Sequence, residues 1–329
     1  MKIGIVVCNN GYGHIRRQSI IARELINRGN DVVIYAPLCS LGKVSSDLVD
    51  YCCDFNTNSS SFDWMQGNAR KWVNVIGSLS EFDVVISDNL IDVLTVRPDA
   101  IISGSFFWHK ILGIPRSLID GQEKLLLDCE PTIISNEYFS PAYIRSRKNF
   151  KPIGFIKKEI AKRCHINRND KKSVLLTIGA GRSDSETLMK SYITDVLDGL
   201  SLNFENFGKI YIESRMYSSR LPKNFVSAKF DENMFDDLDA VIGRPGIGII
   251  TECATRNIDY ISIRENSNSE MVFNNNILSQ HFDAVIVSTF EEGLAFANRR
   301  LLGDALLSKA SANGLNEFIS IVEGIYETS

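Results

Sequence analysis

The sequence predicts an α/β protein built from two doubly wound domains. Short apolar runs with the length of buried parallel strands alternate with amphipathic helical segments. The alternation breaks once, near residues 146–155, and then resumes. The 329 residues are enough for two ordinary domains of roughly 150 residues each.

Ile3–Cys8 reads as a buried parallel strand, Asn9–Gly13 as a glycine-containing turn, and His14–Arg28 as a helix. The apolar face of that helix is Ile15, Ser19, Ala22, Leu25 and Ile26, and Gly29 is its expected stop. Asp31–Ala36 is the second strand, which completes a right-handed βαβ unit. Leu48–Cys53 is a candidate third strand and Asp63–Leu79 reads as mostly helical. Phe82–Ser87 is a strand ending at Asp88, with Ala100–Gly104 and Thr132–Ser135 as further short strands. The segment Ser105–Glu130 takes no clear assignment. Arg147, Lys148, Lys151 and Pro152 read as a polar, proline-broken connector.

The second series opens with the strand Ser173–Ile178, the turn Gly179-Ala180-Gly181 and a helix near Ser185–Leu200. Strands Lys209–Glu213 and Asp239–Ile242 follow, then a glycine turn, a helix, and strands Asp259–Ile263 and Ala284–Val287. The expected domains are therefore 1–150 and 151–312. Residues 313–329 form a terminal helix with Phe318, Ile321 and Ile325 on one face, available to pack back on the first domain.

Composition narrows the function classes. Hydrophobic content of 44% and charged content of 23% suit a soluble chain with two buried cores. A net charge of −4 without a basic stripe argues against nucleic acid as a partner. The seven cysteines include no Cys-x-x-Cys pair and read as thiols of a reducing compartment. The apolar run after Lys2 is too short for a signal-peptide core, and no stretch approaches the roughly 20 apolar residues of a membrane span. The expected location is cytoplasmic, with peripheral membrane contact through an apolar patch left open.

In doubly wound sheets ligands bind outside the carboxyl ends of the strands, so the loops after strands are the places to search. Gly11 and Gly13 follow the first strand and open a helix, where free amides favour anions. A nicotinamide-cofactor site fails here. Arg16 stands where the third fingerprint glycine belongs, and the second strand ends in Tyr35-Ala36-Pro37 without an acidic residue for a ribose. The helix instead starts at His14, and a helix N-terminus favours the neutral imidazole that a general base requires. A capping or packing histidine is the plainer alternative. Asp88, at another strand end, either orients His14 or contacts an acceptor, or else caps a helix over 89–94. His109, beside Phe106, Phe107 and Trp108, fits a packed aromatic cluster better than an acceptor site. His165 and His281 read as surface or linker residues.

The second glycine turn, Gly243-Arg244-Pro245-Gly246-Ile247-Gly248, also joins a strand to a helix. Amides at Ile247 and Gly248 can hold a diphosphate, Arg244 adds charge, and Glu252 on the helix can accept ribose hydroxyls. The alternative is a tight turn with a surface arginine and a solvated glutamate.

This segment through Thr251-Glu252 resembles the donor motif of the MurG-like glycosyltransferases, whose GT-B fold sets two Rossmann-like domains face to face across a cleft. The resemblance implies that Arg244, Gly246 and Glu252 line a nucleotide site. It also implies that Glu270 and Asn274, in Glu270-Met271-Val272-Phe273-Asn274, serve the donor sugar, although that family usually has glutamine where Met271 stands. Gly179 and Gly181 match the family's loop touching nucleotide and sugar. Gly11, Tyr12, Gly13 and His14 resemble its acceptor-side loop. Their Gly-x-Gly-His-Ile-x-Arg pattern is also similar to that of predicted glycosyltransferases and of the UDP-sugar hydrolase of pseudaminic acid biosynthesis.

The resemblance implies transfer of a hexosyl or N-acetylhexosaminyl group from a nucleotide sugar, with UDP favoured. The acceptor would be a glycan, a lipid-linked or a small-molecule hydroxyl, as in cell-surface polysaccharide biosynthesis. His14 acts as general base and the anomeric centre inverts. The helix terminus carries the diphosphate charge, so no metal or other cofactor is obligatory. The alternative is a nucleotide-sugar hydrolase with water in place of the acceptor, and the first-domain material between Gly104 and Lys151 favours the larger acceptor.

Overall fold

A computed structural model of the chain describes residues 1–9, 12–56, 73, 75–104, 116–157, 171–179, 184–201, 203–299 and 313–328. The chain divides into two compact units, Met1–Lys157 with Ala312–Ser329, and Lys158–Ser311.

The first unit holds seven strands, β1 Lys2–Val6, β2 Asp31–Ala36, β3 Cys52–Asp54, β4 Val84–Asp88, β5 Ile101–Ser103, β6 Ile133–Asn136 and β7 Phe150–Ile153. They lie in the order β3-β2-β1-β4-β5-β6-β7, and every pairing is parallel. The central strands are apolar along nearly their whole length because helices cover both faces, and Ile3, Ile5, Val6, Val85 and Ile86 are all buried. Chain order reverses between β1 and β4, where Val6 pairs with Ser87. Connections leave to opposite faces at such a switch point and open a crevice at the carboxyl ends. Helix α1, Tyr12–Asn27, begins at that crevice.

Further helices among the described residues of this part of the chain are α2 Leu38–Val44, α3 Arg116–Cys129 and α4 Ala142–Arg145. The expected third strand Leu48–Cys53 is instead a 3-10 turn over Ser46–Tyr51 followed by the short strand β3. The proline-broken connector contains β7. Pro152 lacks an N–H, and it is tolerated because β7 is an edge strand that pairs on one side only, with β6. Helix α3 falls in the stretch that sequence pattern left unassigned. His109 and His165, and most of the expected helix Asp63–Leu79, lie outside the described residues.

The second unit repeats the design with six parallel strands, β8 Ser173–Thr177, β9 Lys209–Glu213, β10 Phe225–Ala228, β11 Ala240–Gly243, β12 Asp259–Ile263 and β13 Val285–Val287. Their order is β10-β9-β8-β11-β12-β13, so the switch point lies between β8 and β11, where Thr177 pairs with Gly243. Its helices among the described residues are α5 Asp184–Leu197, α6 Glu232–Asp237, α7 Ile247–Arg256, α8 Ser269–Phe282 and α9 Phe290–Arg299. Strand β10 and helix α6 were not anticipated from the sequence, being four and six residues long without clear periodicity.

The terminal helix α10, Gly314–Thr328, belongs to the first unit. Leu315, Phe318, Ile319 and Val322 are buried in the same cluster as Ile5, Ile15, Leu25 and Ile153. The entry is tight. A Cβ on Gly314 would lie 2.3 Å from the Gly154 carbonyl, so only glycine fits. The Gly154 N–H donates to Glu317 Oε2 at 2.8 Å, and Arg28, one residue past α1, pairs with Glu323.

Phe318 is fully buried, whereas Tyr326 is 46% exposed. Phe318→Ala should therefore cost about 3–5 kcal/mol and Tyr326→Ala about 0.5 kcal/mol or less. Hydrogen exchange should show lost protection in β1, β2 and α1 for the first variant only, with the second unit unchanged.

Candidate functional site

The crevice of the first unit is organised by one carboxylate. Asp88 ends β4 beside the end of β1, and it is fully buried. His14, Arg17 and Gln18 are spaced i, i+3 and i+4 on α1, so they share one face of its first turns. All three reach Asp88. His14 Nδ1 lies 2.8 Å from Asp88 Oδ2. Arg17 Nη2 and Gln18 Nε2 both donate to Oδ1, the second at 3.2 Å. Gln18 Nε2 also lies 3.3 Å from Ser103 Oγ on β5, whose Cα pairs with that of Asp88.

Burial alone would push the Asp88 carboxyl up, because a charge in a low-dielectric site is poorly solvated. The Arg17 guanidinium and the His14 ring outweigh it and hold the group down at about 2. Asp88 is thus an anion at neutral pH and can only accept. The contact with His14 then requires the hydrogen on Nδ1, so in the neutral ring Nε2 carries the lone pair. Arg17 Nη2 also stands 3.4 Å from Nδ1, but the shorter contact to an ionised partner decides the tautomer. Asp88 caps no helix among the described residues. The 3-10 turn Ile91–Thr95 has Leu90 at its N-cap position.

The switch point of the second unit lies at Gly179 and Gly243–Gly246. Gly179 has φ +65°, a left-handed turn that glycine adopts freely. Glu213, at the end of β9, holds this turn by accepting at Oε1 from Thr177 Oγ1, Ile178 N and Gly179 N within 2.8–2.9 Å. Arg244 lies beside Gly179, 10% exposed, with Nε 3.9 Å from Oε1 of Glu265. Glu265 follows β12, is buried, and accepts from Ser185 N at the start of α5.

Helix α7 starts after Gly246 without a side-chain cap and without an acidic residue in its first turn. Its first intrahelical bond runs from Ile250 N to Gly246 O, so the amides of Ile247 and Gly248 precede the ladder. A Cβ at Gly246 would meet nothing within 4 Å, and the same holds for Gly13 at the start of α1. Neither glycine is demanded by packing, and both leave clear space at a helix N-terminus.

Glu252 sits on α7, where Oε2 accepts from Arg256 Nε at 3.2 Å. Arg256 is itself buried and also pairs with Glu232 and Asp236. Asn274 is buried, and its Nδ2 donates to the Pro245 carbonyl at 2.8 Å, so it braces the glycine turn from α8. Glu270 lies in the first turn of α8, which Asn268 caps. Tyr12 and Gly13 open α1, while Gly11 and Gly181 lie outside the described residues. The triplet Asp237-Leu238-Asp239 has the Asp-x-Asp form of some metal motifs. Both carboxylates are engaged elsewhere, Asp237 by Lys209 and Tyr211, and Asp239 by Ser173 N at the amino ends of the strands. Among the described residues no group of three or more His, Cys, Asp or Glu is arranged to hold a metal ion.

Sequence pattern missed Gln18, Glu213, Arg256 and Glu265, and marked Arg17 only as the last residue of the Gly-x-Gly-His-Ile-x-Arg pattern. The i+3 spacing of Arg17 from His14 was a usable signal once Asp88 was known to lie opposite. Gln18, Glu213 and Glu265 are set by neighbours distant in sequence, and Arg256 by Glu252 on its own helix and by Glu232 and Asp236 on α6.

No family model and no curated protein sequence matches the chain. Solved structures do. The glycotransferase of kitacinnamycin superposes with a TM-score of 0.71 at 13% identity, covering 98% of each chain. The glycosyltransferase VinC, in complex with dTDP, gives 0.64 at 12% over 100% of each. UGT89C1 of Arabidopsis thaliana, complexed with UDP, gives 0.64 at 12%, covering 98% of this chain and 99% of that one. At these identities the likeness is one of fold, and the fold is GT-B, two Rossmann-like domains each built on a parallel sheet.

Asp88 also sets an acid limit on stability. Its carboxyl is held at about 2, below its ordinary value of 3.8, so its stabilising contribution is complete above the ordinary value and is lost as pH falls through about 2. The difference in unfolding free energy between wild type and Asp88→Asn should shrink by about 2 kcal/mol between pH 5 and pH 2. Paired denaturant titrations across that range check it.

Proposed function

We propose that this chain is a glycosyltransferase that moves a sugar from a nucleotide-sugar donor to an acceptor hydroxyl. The observation that carries the reading is the His14–Asp88 pair, an imidazole at a helix start whose Nδ1 is engaged by a buried anion. That arrangement leaves Nε2 as a base for a hydroxyl proton. The second unit supplies what a diphosphate needs, with Arg244, the uncapped amides of Ile247 and Gly248, and clear space at Gly246. The likeness to folds seen with dTDP and with UDP supports a pyrimidine nucleoside diphosphate as leaving group.

In this reading His14 Nε2 takes the acceptor proton while the acceptor oxygen attacks the anomeric carbon opposite the diphosphate. The carbon–oxygen bond to the diphosphate breaks and the configuration inverts. Negative charge builds on the leaving group, where the α7 amides and Arg244 stabilise it, so no metal is obligatory. Asp88 holds the imidazole in register and stabilises it as it gains the proton. Glu252 accepts a ribose hydroxyl beside its bond to Arg256, and Glu270 grips the sugar. Asn274 acts through the Pro245 carbonyl, fixing the turn that carries Arg244 and Gly246. Gly179 and Gly181 are assigned to the nucleotide, and Gly11, Tyr12 and Gly13 to the acceptor side, on the family resemblance. Residues 1–150 serve the acceptor and 151–312 the donor.

Incubation with UDP- and dTDP-sugars, with and without a panel of hydroxyl acceptors, tests the reaction class. Glycosylated acceptor is the expected product, and rapid release of free sugar without any acceptor would replace transfer by hydrolysis. His14→Ala should lower turnover by about a hundredfold or more while nucleotide affinity measured by calorimetry holds within about twofold. Arg244→Met should do the opposite, weakening nucleoside diphosphate binding about tenfold or more through loss of a charged contact.

A further inference from the structure

Asp88 has two oxygens, and α1 divides them. Oδ2 faces His14 Nδ1, while Oδ1 receives Arg17 Nη2 and Gln18 Nε2. Arg17 therefore does not displace the imidazole from its hydrogen bond. It does place a permanent cation on the same anion, with Nη2 only 3.4 Å from Nδ1. In a plain histidine–carboxylate pair the anion favours the imidazolium as well as orienting the ring. Here a proton on His14 would put a second cation against a carboxylate already neutralised by the first.

We infer that Arg17 is a positioning residue that separates these two effects, letting Asp88 orient His14 while keeping the imidazole uncharged and ready as a base. The inference rests on the general-base reading of His14. Among the described residues the charged groups acting on Asp88 are Arg17 and His14, both from α1. Gln18 from α1 and Ser103 from β5 are neutral and complete the donor set around Oδ1. Arg17 is only partly exposed, its side chain at 19%, so solvent screens the pair weakly.

Arg17→Gln removes the charge and keeps a donor for Asp88, and Arg17→Lys restores the charge. In Arg17→Gln the acid limb of kcat/KM against pH should move up by about one unit. Arg17→Lys should return the limb to its wild-type position. A purely structural role predicts a uniform loss at every pH with no displacement, and that result would overturn the inference. Ring nitrogen NMR of His14, assigned with His14→Gln, gives a readout independent of turnover. The imidazolium fraction at pH 7 should rise about tenfold in Arg17→Gln. An unchanged fraction in the folded variant would overturn the inference whatever the reaction proves to be. A raised fraction in a protein that turns over no nucleotide sugar would uphold Arg17 and sink the transferase reading instead.

Discussion

A carboxylate removed from water must find positive or hydrogen-donating partners, and the partners Asp88 found define the first crevice of this protein. Its desolvation costs several kcal/mol, which the Arg17 ion pair and two further donors offset. All three partners come from two turns of a single helix. Asp88 therefore anchors the start of α1 to the end of β4 and fixes how α1 leaves the sheet. The rotamer and tautomer of His14, and the space beside Gly13, follow from that anchoring.

The second unit solves the same problem with different residues. Glu213 gathers the hydroxyl of Thr177 and two backbone amides onto one oxygen, which fixes the left-handed turn at Gly179. Glu265 takes the first turn of α5 and stands beside Arg244. Asn274 holds the Pro245 carbonyl from below. At both switch points a buried carboxylate at a strand end braces the structure around the turn, and in the second unit the helix that follows starts without a side-chain cap.

The ion-pair network around Arg256 shows how shape and chemistry interlock. This buried cation needs Glu252, Glu232 and Asp236 to offset its desolvation, and it lies 5.3 Å from the centre of the Phe235 ring. It ties α6 to α7. Glu252 thus serves both the scaffold and, in the reading offered above, the ribose. A residue with both duties has less rotamer freedom to lose on binding a ligand, which is the benefit of preorganisation.

The sequence by itself determined the class of the fold and where its strand-to-helix glycine turns fall. Apolar runs, helical periodicity and glycine turns are written within ten or fifteen neighbouring residues, so Ile3–Cys8, the helix from His14 and the turn at Gly243–Gly248 were all legible. Edge strand β7 was misread because its proline and lysine mimic a connector, and short β10 carried too little pattern to be seen. Only the tertiary structure decided which residues meet. Asp88 lies 74 positions from His14, and their contact exists because β4 lies next to β1 in the sheet. Strand order also shows that Arg17 faces Asp88 and that Asn274 holds the Pro245 carbonyl. Local pattern is a property of adjacent residues. Partnership is a property of strand order, and it emerges only when the sheet is assembled.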